Sequence, residues 1–371
     1  MSLHRLKQFQ IQIDKSLASF MTRIKREYHL HLVDPILYES IREFVLRKGK
    51  RVRPILLILS YKGYRRGSQR MSPSIYYVST CVELLHNFML IHDDIIDRSD
   101  LRRGKPTMHK LLARATKSPE RDKLGQDLGI VAGDIVYASA FDAFLSINED
   151  LRRKEKALKY FIQTAVLTAM GEFIDTLHAE QKITQIKEDD VFLNYTLKTA
   201  RYTFDCPLVV GAILAGASQR DIRRLSQIGL MVGQAFQIQD DVIGIFDSQK
   251  NIGKSILSDI AESKKTLLVC HANQTLTGKP RRAFLQCFTK PRKTYRDLIT
   301  IRKIFIESES LLYAMTHIHQ RLIKAQALIN GLGMKKEYRR LLEVCLARLF
   351  NHSNMIAEKY NIPIRMNPFR P

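Results

Sequence analysis

Residues 81–97 read Cys-Val-Glu-Leu-Leu-His-Asn-Phe-Met-Leu-Ile-His-Asp-Asp-Ile-Ile-Asp, an apolar helical stretch that ends in carboxylates. Asp93 and Asp97 are four residues apart and share a helix face, and His86 lies on that face seven residues before Asp93. Like charges this close repel one another, and burying them is costly unless a cation compensates. Hard oxygen ligands of this kind suit Mg²⁺, which usually shares its shell with substrate phosphates. The stretch therefore predicts a helix that presents a metal site.

A second carboxylate pair, Asp240 and Asp241, lies in the apolar stretch 229–247. This weak internal echo predicts that the two pairs face each other across one cavity. Gly244 and Asp247 follow Asp240 by four and seven residues, so on a continuous helix all three lie on one face. Our hypothesis is that Asp247 supplies, through water, the carboxylate that Gly244 lacks. The alternative for either cluster alone is an acidic turn that faces solvent.

Cations accompany the first cluster, because Arg102-Arg103-Gly104-Lys105 follows it directly. Metal ligands next to phosphate-binding cations predict a site for a diphosphate. The chain as a whole has 60 basic and 37 acidic residues, a net charge of +23. The basic residues are dispersed along predicted helices and form no RRM-like, zinc-finger or basic-zipper pattern. We therefore expect no nucleic-acid partner. A loose contact with an anionic membrane surface is the favoured interpretation of the positive charge.

Apolar residues recur at three- and four-residue spacing through most of the chain and predict an all-α fold. The predicted helices include Leu3–Arg26, Pro35–Arg47, Ser74–Asp97, Ile130–Ile147 and Lys154–His178. Glycine and proline punctuate the breaks, and no low-complexity linker divides the chain. We expect residues 1–371 to form a single all-α domain, a large helical bundle around a central cavity, with an extra basic helical region at 279–302.

Cysteine usage and hydropathy predict a cytoplasmic protein. The five cysteines stand alone in mostly apolar contexts, which is typical of reduced core thiols. They are Cys81, Cys206, Cys270, Cys287 and Cys345. Strongly apolar stretches such as 55–59 and 207–217 fall short of the ~18 residues that a membrane span needs. We expect neither a span nor a signal peptide.

Further motifs stand in a fixed order around the two carboxylate clusters. They are Gly49-Lys50-Arg51-Val52-Arg53-Pro54, Gly133-Asp134, Gly171-Glu172-Phe173-Ile174-Asp175, Lys198-Thr199-Ala200, Phe236-Gln237-Ile238-Gln239-Asp240-Asp241, Gly253-Lys254, Asp259-Ile260 and Glu262-Ser263-Lys264. Together with the first cluster they resemble the trans-isoprenyl diphosphate synthases, which condense isopentenyl diphosphate with an allylic diphosphate. The resemblance covers roughly residues 47–266 and implies the isoprenoid synthase type of helical bundle.

The resemblance also implies a role for each motif residue. Asp93, Asp97 and Asp240 would hold three Mg²⁺ ions on the allylic diphosphate, with Asp94 and Asp241 in support. The cations around the leaving pyrophosphate would be Arg102, Lys198, Lys254 and Lys264. Isopentenyl diphosphate would bind Lys50, Arg53, His86 and Arg103 without metal. Thr199 and Gln237 would offer uncharged dipoles near the allylic carbocation, and pyrophosphate would take the final proton.

Product length depends on side chains upstream of Asp93. Phe88 lies ~7.5 Å deeper than Asp93 at a rise of about 1.5 Å per residue, so its ring would stop the growing tail, whereas Met89 is slimmer. Farnesyl diphosphate synthases of animal type carry aromatics at both positions. A single Phe with no insertion in the aspartate motif resembles the archaeal geranylgeranyl pattern. We therefore expect a C20 product, with C15 or a longer product as alternatives.

Two departures and two other functions bear on this prediction. Glu172 stands where the family usually has glutamine, and Gly244 replaces a third aspartate, as in geranylgeranyl-type members. A terpene cyclase or squalene-synthase-like enzyme would share the helices and aspartates but would not need a second diphosphate subsite. A catalytically inactive partner of a hetero-oligomer is the non-enzyme alternative. The resemblance suggests a homodimer.

Overall fold

The computed structural model describes residues 2–66, 75–247, 264–364 and 368–369. The helices as far as the middle of the chain are α1 (Ser2–Glu27), α2 (Leu30–Val33), α3 (Pro35–Val45), α4 (Val52–Tyr64), α5 (Ile75–Ile96), α6 (Met108–Ala115), α7 (Arg121–Leu145) and α8 (Leu151–Glu180). A 3-10 turn (Ile183–Gln185), α9 (Glu188–Asn194) and a π-helix (Tyr195–Asp205) follow. The remaining helices are α10 (Cys206–Ala215), α11 (Gln219–Phe246), α12 (Leu267–Thr275), α13 (Gly278–Phe288), α14 (Tyr295–Glu307), α15 (Ser310–Asn330), α16 (Lys336–Leu349) and α17 (Asn351–Lys359). The predicted all-α fold class is confirmed.

Short-range sequence signals explain where several helices begin and what they bury. Asp34 caps α3, because its carboxylate accepts a hydrogen bond from the Ile36 N–H at 2.7 Å and Pro35 occupies the first turn. The buried stripe of α1 repeats at three- and four-residue spacing. It consists of Leu6, Phe9, Ile13, Leu17, Phe20, Met21 and Ile24.

Helix α7 begins nine residues earlier than the predicted start at Ile130. Glycines weaken the helical pattern in this part of the sequence, but they serve close packing. A Cβ atom on Gly125 would lie 2.4 Å from the His109 carbonyl oxygen, and one on Gly129 would lie 3.0 Å from Ile95 Cδ1. Only glycine lets α7 approach α5 and α6 this closely.

The chain divides into two compact units. The first comprises Met1–Ile162, Pro207–Ile222 and Met334–Leu341, and it carries the first carboxylate cluster. The second comprises Gln163–Cys206, Arg223–Gly333 and Leu342–Pro371, and it carries the π-helix and the second carboxylate pair. A single domain around a central cavity stays a prediction.

The burial of the cysteines largely agrees with the prediction, whereas one helix is longer and more apolar than expected. Cys287 is half-buried, and the other four cysteines are buried, as expected of core thiols. Within the described residues, α7 is the helix that is long and apolar enough to cross a membrane by length and composition. It exceeds the apolar stretches singled out in the sequence. Core helices of soluble proteins meet the same criterion, and α7 packs on α5 and α6.

Candidate active site

The three carboxylates at the end of α5 differ in their burial. The Asp94 side chain is fully buried, whereas Asp93 and Asp97 are half-buried. Arg102 donates from Nε to Asp94 Oδ1 at 2.8 Å and from Nη2 to Asp93 Oδ2 at 2.9 Å. Burial lowers the pKa of this guanidinium, but the two carboxylates outweigh burial and raise it. Arg102 thus compensates the charge that would otherwise make Asp94 costly to bury.

A two-stranded hairpin brings Arg102 back to the carboxylates. Strands β1 (Leu101–Arg102) and β2 (Lys105–Pro106) pair antiparallel, and Arg103 and Gly104 form the turn between them. Both turn residues have positive φ, 55° and 73°. A two-residue loop of this kind matches the right-handed twist of the strands. This hairpin was not predicted, although the Arg-Gly pair between two extended dipeptides is a signal for it.

Four arginines lie around His86 on α5: Arg53, Arg103, Arg102 and Arg51. His86 is buried, and burial followed by the charges of Arg53 and Arg103 lowers its pKa well below the usual value. Arg102 also contributes to this shift. Arg103 Nη1 lies 3.3 Å from the carbonyl oxygen of Lys48, so the basic motif before α4 meets the hairpin here. Four residues that were predicted to bind diphosphate groups therefore lie together in the first unit.

Arg51 has a different environment from the neighbouring Lys50. Its Nη1 lies 2.5 Å from Glu83 Oε1, and its Nε lies 2.8 Å from Asp14 Oδ1. Its Nη2 donates to the carbonyl oxygen of Arg47 at 2.8 Å. These buried contacts fix the start of α4 on α1 and α5, while the Lys50 side chain is exposed. Arg51 is therefore a structural residue, whereas Lys50 is accessible.

In the second unit, Asp241 is held on both oxygens. The Tyr195 hydroxyl donates a hydrogen bond to Asp241 Oδ2, and Gln237 Nε2 donates to Oδ1 at 3.0 Å. Thr199 Oγ1 donates to Gln237 Oε1 at 2.7 Å, which joins the two residues predicted to supply uncharged dipoles. The adjacent Asp240 is exposed. In each carboxylate pair, one member is thus held by hydrogen bonds and the other is more accessible.

Lys198 lies between two acids of α8. Its Nζ is 2.7 Å from Asp175 Oδ2 and 3.0 Å from Glu172 Oε2. Burial raises the pKa of Asp175, but the charges of Lys198 and then Lys264 outweigh burial and lower it. The unexpected negative charge of Glu172 is therefore paired with a predicted site cation, and Lys264 lies near the same acids. Lys254 lies outside the described residues.

The π-helix carries Tyr195, Lys198 and Thr199 toward these partners. A Cβ atom on Gly171 of α8 would lie 2.4 Å from the Lys198 nitrogen, and one on Gly233 of α11 would lie 2.4 Å from Ala200 Cα. The two glycines let α8 and α11 pack directly against the π-helix backbone. Extended π-helix is rare and often occurs at functional sites. Neither this element nor the role of Tyr195 was predicted from the sequence.

Aromatic side chains from α7 extend the predicted floor. The Phe88 ring lies with its centroid 4.6 Å from that of Tyr137, which in turn lies 4.9 Å from Phe141. Phe88 and Met89 are both half-buried, and Leu84 is fully buried. The role of Phe88 in product length stays a prediction, and Tyr137 and Phe141 join it as candidates.

Asp247 follows the last residue of α11 and contacts the C-terminal helix α17. Its Oδ2 contacts His352 Nε2, and its carbonyl oxygen accepts a hydrogen bond from Arg302 Nη2 at 2.9 Å. A water-mediated role at the metal stays a prediction.

The donors of the predicted metal site are those that Mg²⁺ accepts from proteins. In the described part of the chain, no three His, Cys, Asp or Glu side chains are grouped to hold a metal ion on their own. Mg²⁺ usually takes one or two carboxylates and completes its octahedron with waters and substrate phosphates. The half-buried Asp93 and Asp97 and the exposed Asp240 are donors of this kind.

Comparison with known proteins settles the family. Residues 34–304 match the polyprenyl synthetase family. The chain belongs to this family. The match starts before the first basic motif and continues through the basic region at 279–302, which the motif resemblance did not cover. The prediction of a chain-elongating trans-prenyltransferase is confirmed.

Relatives within the family carry related names. The chain is 33% identical to the geranylgeranyl diphosphate synthase of Sulfolobus acidocaldarius, across 76% of this chain and 79% of that enzyme. It is 28% identical to the geranylfarnesyl diphosphate synthase of Aeropyrum pernix, across 80% and 88% of the two chains. The crystal structure of geranylgeranyl pyrophosphate synthase from Corynebacterium glutamicum, complexed with isoprenyl diphosphate and magnesium, has a TM-score of 0.85 at 24% identity and covers 94% of this chain and 99% of that one. This likeness shows that the polyprenyl synthetase described here has the same fold.

Proposed function

We propose that this protein is a Mg²⁺-dependent synthase that condenses isopentenyl diphosphate with an allylic diphosphate and makes mainly geranylgeranyl diphosphate. The proposal treats the whole chain as one catalytic domain. The observation that carries it is the group of Arg53, Arg102 and Arg103 around His86, next to the first carboxylate cluster. These cations exceed what a single diphosphate with its metal ions needs, and a cyclase has no second diphosphate to bind.

The proposed residues act on two diphosphates. Asp93, Asp97 and Asp240 would hold Mg²⁺, which when bound neutralises the charge that develops on the leaving pyrophosphate. Arg102 and Lys198 stabilise the same oxygens by charge-assisted hydrogen bonds, with Lys254 and Lys264 in the same role. Lys50, Arg53, His86 and Arg103 orient isopentenyl diphosphate with its double bond toward the allylic carbon.

The reaction breaks the allylic C1–O bond and forms a bond from that carbon to C4 of isopentenyl diphosphate. The electron pair of the broken bond leaves with pyrophosphate, and the pair of the isopentenyl double bond forms the new bond. A proton is then lost to pyrophosphate. The dipoles of Thr199 and Gln237 face the cationic intermediate, which costs no reorganisation because they are already hydrogen-bonded to each other.

Incubation of the purified protein with Mg²⁺, isopentenyl diphosphate and farnesyl diphosphate tests the proposal. We expect geranylgeranyl diphosphate and one pyrophosphate per condensation. A cyclic hydrocarbon with no elongated product would indicate a cyclase, and no turnover of any allylic diphosphate would indicate an inactive subunit. A main product of C15 from geranyl diphosphate, or of C25 or more, would correct the product length.

We also propose a homodimer, supported by the surface of α8. Val166, Met170, Phe173 and Leu177 are all about half exposed or more, at alternating four- and three-residue spacing. In this stretch, which the structure describes completely, every exposed side chain from Gln163 to Leu177 is uncharged. Such a stripe is typical of a helix that pairs with another helix. Phe173→Asp should yield a monomer in analytical ultracentrifugation, and a wild-type monomer at micromolar concentration would contradict the proposal. A cytoplasmic location stays a prediction from the cysteines.

A further inference from the structure

The hairpin of α13 and α14 concentrates positive charge in the second unit. From Lys264 to Arg296 the sequence has no Asp or Glu and nine Lys or Arg residues. The two helices pack through buried aromatic rings, with the Phe284 centroid 5.6 Å from Phe288 and 5.9 Å from Phe305. The hairpin is therefore a folded element with its own small core; Lys293 is buried over the Phe288 ring, and most of the other cations lie outside that core.

The two acidic side chains of α14 each pair with one lysine. Asp297 is buried and caps α14, since it accepts hydrogen bonds from the Thr294 N–H and from Lys290 Nζ at 2.8 Å and 2.6 Å. Glu307 Oε1 lies 3.6 Å from Lys303 Nζ, and an exposed ion pair of this kind contributes little to stability. Arg292 and Arg296 are exposed. Arg292 and Arg296 thus leave the outer surface of α14 with a net positive charge.

Large apolar side chains share this surface. Tyr295, Ile299 and Ile306 are 58%, 51% and 44% exposed. At about 100° per residue they fall within an arc of about 40°, and Arg296 and Lys303 flank them on one side. Exposed apolar groups in a row are unfavourable in water unless a partner covers them. A row of this kind beside cations is the composition of a helix that lies in a membrane interface.

We propose that the exposed face of α14, with Tyr295, Ile299 and Ile306 beside a row of cations, docks on the surface of an anionic phospholipid bilayer. Arg292, Arg296 and Lys303 attract the lipid headgroups, and the apolar row enters the boundary with the acyl chains. Charge complementarity selects the anionic lipid. The aliphatic side chains favour a bilayer over a nucleic acid, because Ile299 and Ile306 would gain nothing from a phosphate backbone.

Co-sedimentation of the full-length protein with vesicles tests this surface. Vesicles of phosphatidylcholine with phosphatidylserine should bind the protein, and vesicles of phosphatidylcholine alone should bind it at least tenfold less. The triple variant Arg292→Gln, Arg296→Gln, Lys303→Gln should lose at least about tenfold in binding, since each cation near an anionic surface is worth about fivefold. The variant Ile299→Ser, Ile306→Ser should also bind more weakly at unchanged charge.

A matched control removes the same charge elsewhere. Lys117, Arg121 and Lys123 are exposed residues of the first unit, and their triple glutamine variant should bind like the wild type. An equal loss in this control would show attraction by net charge alone and overturn the proposal, as would a wild type that ignores phosphatidylserine. Release of the protein by RNA, together with unchanged binding of the Ile299→Ser, Ile306→Ser variant, would indicate a nucleic-acid surface instead.

Discussion

The hydroxyl of Tyr195 lies between Asp241 and the start of α12: it donates to Asp241 Oδ2 and accepts from the Leu267 N–H at 2.9 Å. Tyr195 is the first residue of the π-helix, and Asp241 lies one turn before the end of α11. Burial, followed by the negative charge of Asp241, raises the pKa of Tyr195 well above its usual value, so the hydroxyl stays a donor. One side chain thus ties three helices together at the second carboxylate pair.

Tyr195→Phe should lower the free energy of unfolding by about 1–3 kcal/mol, because the half-buried Asp241 carboxylate loses a donor and the buried Leu267 N–H loses its acceptor. The Mg²⁺ concentration for half-maximal rate should rise as Asp241 becomes less fixed. Denaturant unfolding and Mg²⁺ titrations of the rate measure the two effects. The exposed Tyr295 provides the matched control, Tyr295→Phe, which should change neither. Wild-type stability and Mg²⁺ dependence of Tyr195→Phe would remove this role.

Asp93→Asn should reduce turnover on the order of 10²-fold or more while the fold survives, since a preorganised electrostatic stabiliser is lost. Asp94→Asn should act differently. Its removal leaves the largely buried Arg102 with a weaker partner, so stability should fall by up to about 3–5 kcal/mol. Steady-state rates at saturating Mg²⁺ and thermal unfolding distinguish the two variants. Near-normal turnover of Asp93→Asn would exclude Asp93 from the metal site.

Phe88→Ala should deepen the pocket and shift products beyond C20, with little loss in the first condensation. The Phe88 ring contacts Tyr137 and lies on the same helix as Asp93. We therefore expect its removal to open space below Asp93. Chain-length analysis of labelled products measures the shift, and Met89→Ala is the control with a slimmer side chain. An unchanged distribution would place the floor elsewhere, at Leu84, Leu85 or the partner subunit.

His86 should make stability depend on pH. Its pKa is about 6.5 in the unfolded chain and well below that in the folded one, so below about pH 6.5 the unfolded state binds the additional proton. Stability should therefore be highest above about pH 6.5 and should fall as the pH decreases toward the folded-state pKa. Urea unfolding between about pH 8 and about pH 5.5 should show a smaller decrease for His86→Gln than for the wild type. Equal decreases would assign the pH dependence to other groups.

Local sequence patterns carried most of the fold and the family. Three- and four-residue periodicity predicted α1, α5 and α8 to within a few residues, because burial of one helix face is a local requirement. The order of the aspartate and basic motifs was sufficient to indicate a prenyltransferase. These signals depend on residues close together in the chain, and they need no knowledge of tertiary contacts.

Contacts between distant residues decided what the sequence left open. Arg51 and Lys50 are adjacent, but only the folded chain brings Glu83 and Asp14 to Arg51 and makes it a structural residue. Glu172 is compensated because Gly171 lets the π-helix place Lys198 beside it. The π-helix itself has no signature in its composition, and its close packing against α8 and α11 is visible only in the folded chain. Sequence therefore determined the helices and the chemical groups. Tertiary structure decided which groups are fixed by partners and which stay accessible, because pairing energies depend on distances that local patterns do not encode.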